Sequence, residues 1–236
     1  MNLIIDIGNT RTKVATFGGD QIIETYVMGG DHLEDIDGSV DHCIISHTGR
    51  LTDDLLTDVF EYTDQVLILD HRTELPFNNL YDTPATLGRD RIAGIAGAQA
   101  LYPGEASLVI DAGTCVTFDF VTSEGDYIGG NIAPGIEMRL RAMSVFTDKL
   151  PLVSPLYNIV PMGKSTESAM QNGAVHGMIY EIEGLNRILI ERHEEFNTIL
   201  TGGAGHYLSQ YIKRKIFVHP DLVLVGLNKI LSINAQ

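Results

Sequence analysis

Apolar and polar positions along this chain alternate in short blocks, and one arrangement of blocks occurs twice. At the start, Leu3-Ile4-Ile5-Asp6-Ile7-Gly8-Asn9-Thr10 runs on into Thr12-Lys13-Val14-Ala15-Thr16-Phe17. Near the middle, Leu108-Val109-Ile110-Asp111-Ala112-Gly113-Thr114 runs on into Cys115-Val116-Thr117-Phe118-Asp119-Phe120. Each copy is an apolar run, an aspartate, a glycine-containing turn and a second β-rich run, which predicts a hairpin with a carboxylate at its tip. A repeat spaced by nearly half the chain predicts two similar domains, residues 1–105 and 106–236, each offering a Gly-rich turn and one acid to a shared cleft.

The same patterning predicts further strands at Ile22–Val27, Asp41–Ser46 and Gln65–Leu69, with a helix around Leu51–Tyr62, an α/β order. The polar stretch from His71 to Thr86, with Pro76, Asn78, Asn79 and Pro84, reads as a long loop, and loops of that length inside a compact domain are usually functional. Gly88-Arg89-Asp90-Arg91 opens a helix of small and apolar residues that ends at Pro103-Gly104. The run Gly129 to Gly135 reads as a turn feeding a helix from Ile136 to about Phe146. Met170, Ala174, Met178, Ile182, Leu185 and Leu189 recur at helical spacing, which predicts a long amphipathic helix from about Thr166 to His193. A strand at Thr198–Thr201 then meets Gly202-Gly203-Ala204-Gly205, followed by a helix and a last strand and helix.

Composition narrows the function classes. With 44% hydrophobic and 20% charged residues the chain has material for real cores and no disordered bias. A formal net charge of −15 disfavours nucleic acid phosphates and acidic membrane surfaces, although backbone N–H groups and a metal ion can still bind a small anion locally. Asp6 breaks the first apolar run, against a signal peptide. No apolar run approaches the roughly 18 to 20 residues that span a bilayer. Cys43 and Cys115 form no disulfide framework or C-x-x-C motif, and together these features point to the cytoplasm.

Candidate chemistry gathers at the turns. In Asp6-Ile7-Gly8-Asn9-Thr10-Arg11-Thr12-Lys13, Gly8 lets backbone N–H groups approach phosphate oxygens, Asn9 and Thr10 add short polar groups, Lys13 adds charge, and Asp6 suits magnesium, which usually keeps several waters. Asp111 and Thr114 are the matching cation ligand and phosphate donor, and Cys115 reads as a packing residue. Asp90 at a helix start is either a dipole-favoured capping acid or a base beside an anion-binding arginine, as phosphoryl transfer to an alcohol requires. Gly163-Lys164-Ser165-Thr166 is no P-loop, since Asn158 stands where that motif needs glycine. Gly203-Ala204-Gly205 lacks the third glycine of a dinucleotide fingerprint, and His193 with Asn197 forms no zinc motif.

The paired Asp-x-Gly turns resemble the acetate and sugar kinase, Hsp70 and actin superfamily, in which two ribonuclease H-like domains clamp ATP in a central nucleotide cleft. The ordered set Asp6 to Lys13, Tyr81 and Pro84 before Gly88-Arg89-Asp90-Arg91, Asp111 to Thr114, Gly129-Gly130 through Pro134-Gly135, Gly163 to Glu167, and Thr201-Gly202-Gly203 resembles, more narrowly, the type III pantothenate kinases. The resemblance implies an actin-like ATPase fold, ATP with magnesium, a monovalent cation (potassium or ammonium), pantothenate as acceptor and a homodimer. It implies that Asp6 to Lys13 and Thr114 bind the phosphates, with Asp6 near magnesium and Asp111 at the monovalent cation. Thr201, Gly202 and Gly203 would lie by the adenosine, and Tyr81, Gly88, Arg89, Asp90, Arg91 and Thr166 would bind pantothenate, with Asp90 as the base. Arg89 replaces the family's usual small residue, and Ala204 an acid. Another small-molecule kinase of the superfamily, or a non-enzymatic nucleotide-binding regulator, shares the Asp turns; Tyr81 to Arg91 and Thr166 argue for pantothenate.

Overall fold

The computed structural model describes residues 1–156, 158–193 and 195–235. They form two compact units: Met1–Ser107 with Phe120–Gly129 and the segment from Asp221 onward, and Leu108–Asp119 with Gly130–Pro220.

The first unit is built on a five-stranded mixed sheet. Its strands β1 (Asn2–Ile7), β2 (Thr12–Gly18), β3 (Gln21–Val27), β4 (His42–His47) and β5 (Val66–Ile68) lie in the order β3-β2-β1-β4-β5. The first hairpin and its extension to β3 are antiparallel, whereas β1–β4 and β4–β5 are parallel. Leu3, Ile5, Val14, Cys43 and Ile45 bury one face of the sheet with Leu55 and Val59 of α1 (Asp53–Tyr62). Thr52 caps α1 by accepting the Leu55 N–H at 3.3 Å, and Asp53 and Asp54 complement the dipole of its first turn.

Two further helices support this sheet, α2 (Arg89–Leu101) and α6 (Leu222–Asn234). From Arg91 to Ala98 every residue of α2 is buried, so its small residues serve close packing on all sides. A methyl group on Gly97 would strike the backbone oxygen of Leu222, and one on Gly226 the backbone of Ala93; two helices can cross this closely only where both lack a side chain. Buried Asn228 ties α6 to the sheet, accepting from Asn2 Nδ2 at 2.9 Å and donating to Gly19 O at 3.0 Å.

A second sheet of six strands has the order β11-β10-β7-β8-β9-β6, with β6 (Asn78–Asn79), β7 (Ser107–Ala112), β8 (Cys115–Val121), β9 (Asp126–Pro134), β10 (Asn197–Thr201) and β11 (Phe217–Val218). In the second unit α3 (Ile136–Val145) packs on α4 (Thr166–Ile190), joined by Arg139 Nη2 donating to Glu181 Oε2 at 2.6 Å. Buried Asn186 of α4 accepts from Thr198 Oγ1 of β10 at 2.6 Å. The short helix α5 (Gly205–Ser209) follows β10.

Three details depart from the sequence reading. Gly129 to Pro134 continues a strand instead of forming a turn: Gly129 takes φ +125°, yet β9 finds its partners in the neighbouring strand, and sheet pairing overrides the local glycine signal. The stretch His71 to Thr86 holds β6, parallel to Asp126 and Tyr127, and a 3-10 turn at Pro84–Thr86. The long helix stops at Ile190, three residues before His193. Among the described residues no helix is long and apolar enough to cross a membrane.

Candidate active site

In the first unit, strand pairing assembles the groups around Asp6. Its position on β1 sets Asp6 between Lys13 of β2 and Ser46 of β4, and fully buried Ser46 donates its hydroxyl to Asp6 Oδ1 at 3.1 Å. Burial pushes the Asp6 carboxyl up to about 6; the Ser46 hydrogen bond opposes this, the Asp90 carboxylate adds to it, and Lys13 acts against it. The turn after Asp6 is closed by Gly8 N–H donating to Arg11 O at 3.1 Å, leaving Asn9, Thr10 and Arg11 exposed, while Ile7 and Thr12 remain paired in the strands. Thr48 and Gly49 N–H both donate to Ile7 O, at 2.9 and 3.0 Å, so the end of β4 braces the same turn. Lys13 Nζ stands 3.7 Å from Asp221 Oδ1.

The second group of residues sits at the start of α2. Gly88 is the N-cap, and Asp90 turns its carboxylate onto the helix, accepting the Arg91 N–H at 2.9 Å. Asp90 is the acid whose charge Asp6 senses, so β1 and α2 each bring a carboxylate to one region. Arg89 turns its guanidinium to the backbone, donating from Nε to Leu69 O at 2.6 Å and from Nη1 to His47 O at 3.0 Å. Arg91 is buried, donates to the Tyr127 hydroxyl at 2.9 Å, and lies 5.5 Å from the centre of the Tyr81 ring. Tyr81 in turn stacks on Tyr127, centroids 6.0 Å apart, and Phe77 meets Tyr127 edge-on at 6.1 Å. Tyr81 and Gly88 to Arg91 therefore share one neighbourhood, built on an aromatic floor. Ser46 and Tyr127 were missed by the sequence reading; Ser46 is found only through the parallel register of β1 with β4, and Tyr127 only through the pairing of β6 with β9.

In the second unit, Asp111 lies near the end of β7, and Gly113 N–H donates to Cys115 O at 3.0 Å to close the tip, leaving Thr114 exposed. Buried Thr201 ends β10, and Gly202 follows at φ +82°. A methyl group on Gly202 would collide with Asp111 Oδ1 and the backbone of Ala112, and Ala204 N–H donates to Ala112 O at 3.0 Å. The structure thus lays Gly202 directly along the acidic turn, with Gly203 exposed beside it. Thr166 is the exposed first residue of α4, whose capping box is formed by Ser165 and Ser168.

Among the described residues no three His, Cys, Asp or Glu side chains converge into a metal cage. Magnesium needs none in a phosphoryl-transfer site, where one or two carboxylates, phosphate oxygens and water supply its shell. Asp6, a hard oxygen donor whose charge is held back by burial and by a second carboxylate, fits that role, because a cation relieves both effects. Asp111, packed against the unsubstituted backbone of Gly202, offers an oxygen donor to a cation.

Comparison with known proteins shows the family of the chain. The sequence profile of the type III pantothenate kinase family matches residues 2–187. A type III pantothenate kinase of Bacteroides fragilis is 42% identical over 239 residues, covering 99% of this chain and 98% of its own. Among solved structures, a Campylobacter jejuni protein assigned to the Baf family of transcriptional activators superposes with a TM-score of 0.61 at 22% identity, covering 98% of each chain. The activator of 2-hydroxyisocaproyl-CoA dehydratase from Clostridium difficile, solved with bound ADPNP, gives a TM-score of 0.52 at 11% identity, covering 99% of this chain and 95% of that one. These structural likenesses speak for the fold: two mixed α/β sheets of the actin-like ATPase type.

Proposed function

The chain belongs to the type III pantothenate kinase family, whose reaction is the ATP-dependent phosphorylation of pantothenate in coenzyme A biosynthesis, and from that premise we propose how its own residues carry the reaction out. Asp90 accepts the proton of the primary hydroxyl of pantothenate as that oxygen attacks the γ-phosphorus of ATP. The new O–P bond forms as the bond to the ADP oxygen breaks, and the proton leaves with Asp90. Because little covalent chemistry falls to the protein, most of the acceleration comes from alignment and charge neutralisation.

The remaining roles follow the elements that carry them. Gly8, Asn9, Thr10, Arg11 and Thr12 offer backbone and side-chain donors to the phosphates, Lys13 adds a positive charge, and Thr114 does the equivalent in the second unit. Ile7 contributes the strand end that sets the turn. Asp6 holds magnesium, and Asp111 the potassium or ammonium ion; these cations, when bound, neutralise phosphate charge. Thr201, Gly202 and Gly203 form the surface for adenosine. Tyr81, Gly88, Arg91 and Thr166 bind pantothenate, the buried Arg91 supplying the positive charge for its carboxylate. Arg89 lies within the same segment. The protein works as a homodimer, a reading supported by apolar side chains exposed on the second unit, including Val145 at 65%, Phe146 at 85% and Met162 at 80%.

The observation that carries this reading is the family match over residues 2–187, supported by the Asp90 carboxylate at the start of α2 beside the buried Arg91. The test is incubation of the purified protein with ATP, magnesium, potassium and pantothenate. Mass spectrometry should find phosphopantothenate and a matching yield of ADP. ATP binding without any phosphorylated pantothenate overturns the reading.

A further inference from the structure

One polar contact in the first unit takes no part in the scheme above. Arg89 is the first residue of α2, where the helix dipole favours an acid and disfavours a cation. Its guanidinium is nevertheless fixed, with Nε at 2.6 Å from Leu69 O and Nη1 at 3.0 Å from His47 O. His47 is the last residue of β4, and Leu69 directly follows β5. The fork therefore joins the first turn of α2 to the carboxyl ends of two neighbouring parallel strands. Gly88, the N-cap, makes no side-chain capping hydrogen bond, so the Arg89 fork ties the start of the turn to the sheet while Arg91, two residues on, ties it to Tyr127. The turn also carries Asp90, whose carboxylate accepts the Arg91 N–H at 2.9 Å.

We propose that Arg89 is a positioning residue: by bridging the carbonyl oxygens of His47 and Leu69 it anchors the start of α2 to the sheet and holds the Asp90 carboxylate where the acceptor hydroxyl must meet it. This rests on the reading of Asp90 as the base. A planar fork with donors fixed relative to one another satisfies two carbonyls at once, which a lysine ammonium on a flexible stem does less well. Since misplacement of a reacting group by about 1 Å can cost about 100-fold in rate, a loosened first turn acts on turnover before it acts on binding.

The test measures kcat, both KM values and the melting temperature for Arg89→Met, Arg89→Lys, Asp90→Asn and the double variant Arg89→Met/Asp90→Asn. Arg89→Met should lower kcat by about 10- to 100-fold, a larger factor than any change in either KM and with the protein still folded at the assay temperature, and Arg89→Lys should fall between it and wild type. In the Asp90→Asn background the Arg89→Met change should add almost nothing, because it acts through the group already removed. Wild-type turnover in Arg89→Met overturns the proposal. So does an equal loss in both backgrounds, or a raised KM for pantothenate at unchanged kcat, which would make Arg89 a substrate ligand. Asp90→Asn assayed alone reports separately on the base. Should Arg89→Met fail to fold, Arg89→Lys keeps the charge and loses the fork, and wild-type kcat in that variant overturns the proposal equally.

Discussion

Asp6→Asn should make the ligand-free protein more stable while removing the proposed magnesium ligand. Folding raises the Asp6 carboxyl from 3.8 to about 6, chiefly by burial, so the folded chain holds this proton more tightly than the unfolded chain does. Its contribution to stability is therefore whole below pH 3.8, declines as the pH rises, and is lost above about 6. At 1.36 kcal/mol for each pH unit, the ceiling on the cost of the charged form at neutral pH is about 3 kcal/mol. Asparagine removes that cost but accepts a weaker hydrogen bond from Ser46, which leaves an expected gain of about 1–2 kcal/mol. For a chain of this size that corresponds to a rise in melting temperature of about 2–8 °C. The chain has no tryptophan, so calorimetry is the direct assay, run on both proteins without nucleotide or divalent cation at pH 4 and pH 7.5. The variant's advantage should be small at the lower pH and full at the higher, and other titrating groups cancel in the difference. A difference in melting temperature that is the same at both pH values, or a variant that melts below wild type at pH 7.5, refutes the argument.

The other predictions concern single roles. Asp90→Asn should lower kcat by about 10²- to 10⁴-fold with an unchanged melting temperature, and near-normal turnover removes Asp90 as the base. Asp111→Asn should raise the potassium or ammonium concentration needed for half-maximal activity; a titration that matches wild type rejects its assignment. Gly226→Ala would drive a methyl group into the backbone of Ala93 and should cost about 1–3 kcal/mol or more, read as an earlier thermal transition; an unmoved transition contradicts the close crossing of α2 and α6.

The strands and helices that depend on local pattern were legible in the residues. Leu3 to Phe17 announces its own hairpin, since apolar runs, a glycine turn and β-branched residues lie within one short stretch, and Ile92 to Leu101 reads as a helix because small residues continue without a breaker. What depends on partners was not legible. Gly129 and Gly130 look like a turn until a neighbouring strand supplies hydrogen bonds. Ser46 carries no motif, and only the parallel pairing of β4 with β1 brings it to Asp6. Tyr127 is one apolar position among many until it meets Tyr81 and Arg91. The direction of the Arg89 side chain is likewise a property of where β4 and β5 end, which nothing near Arg89 in the sequence encodes.

The interlocked glycines of α2 and α6 bear on the order of assembly during synthesis. The helix that begins with Arg89 emerges from the ribosome long before Gly226 does, and until then its apolar surface lacks the backbone it is shaped to meet. The nascent chain must therefore carry an incomplete first unit through translation of everything in between. A chaperone that shields apolar helices would find its window there, and a late stall in translation would expose the same surface.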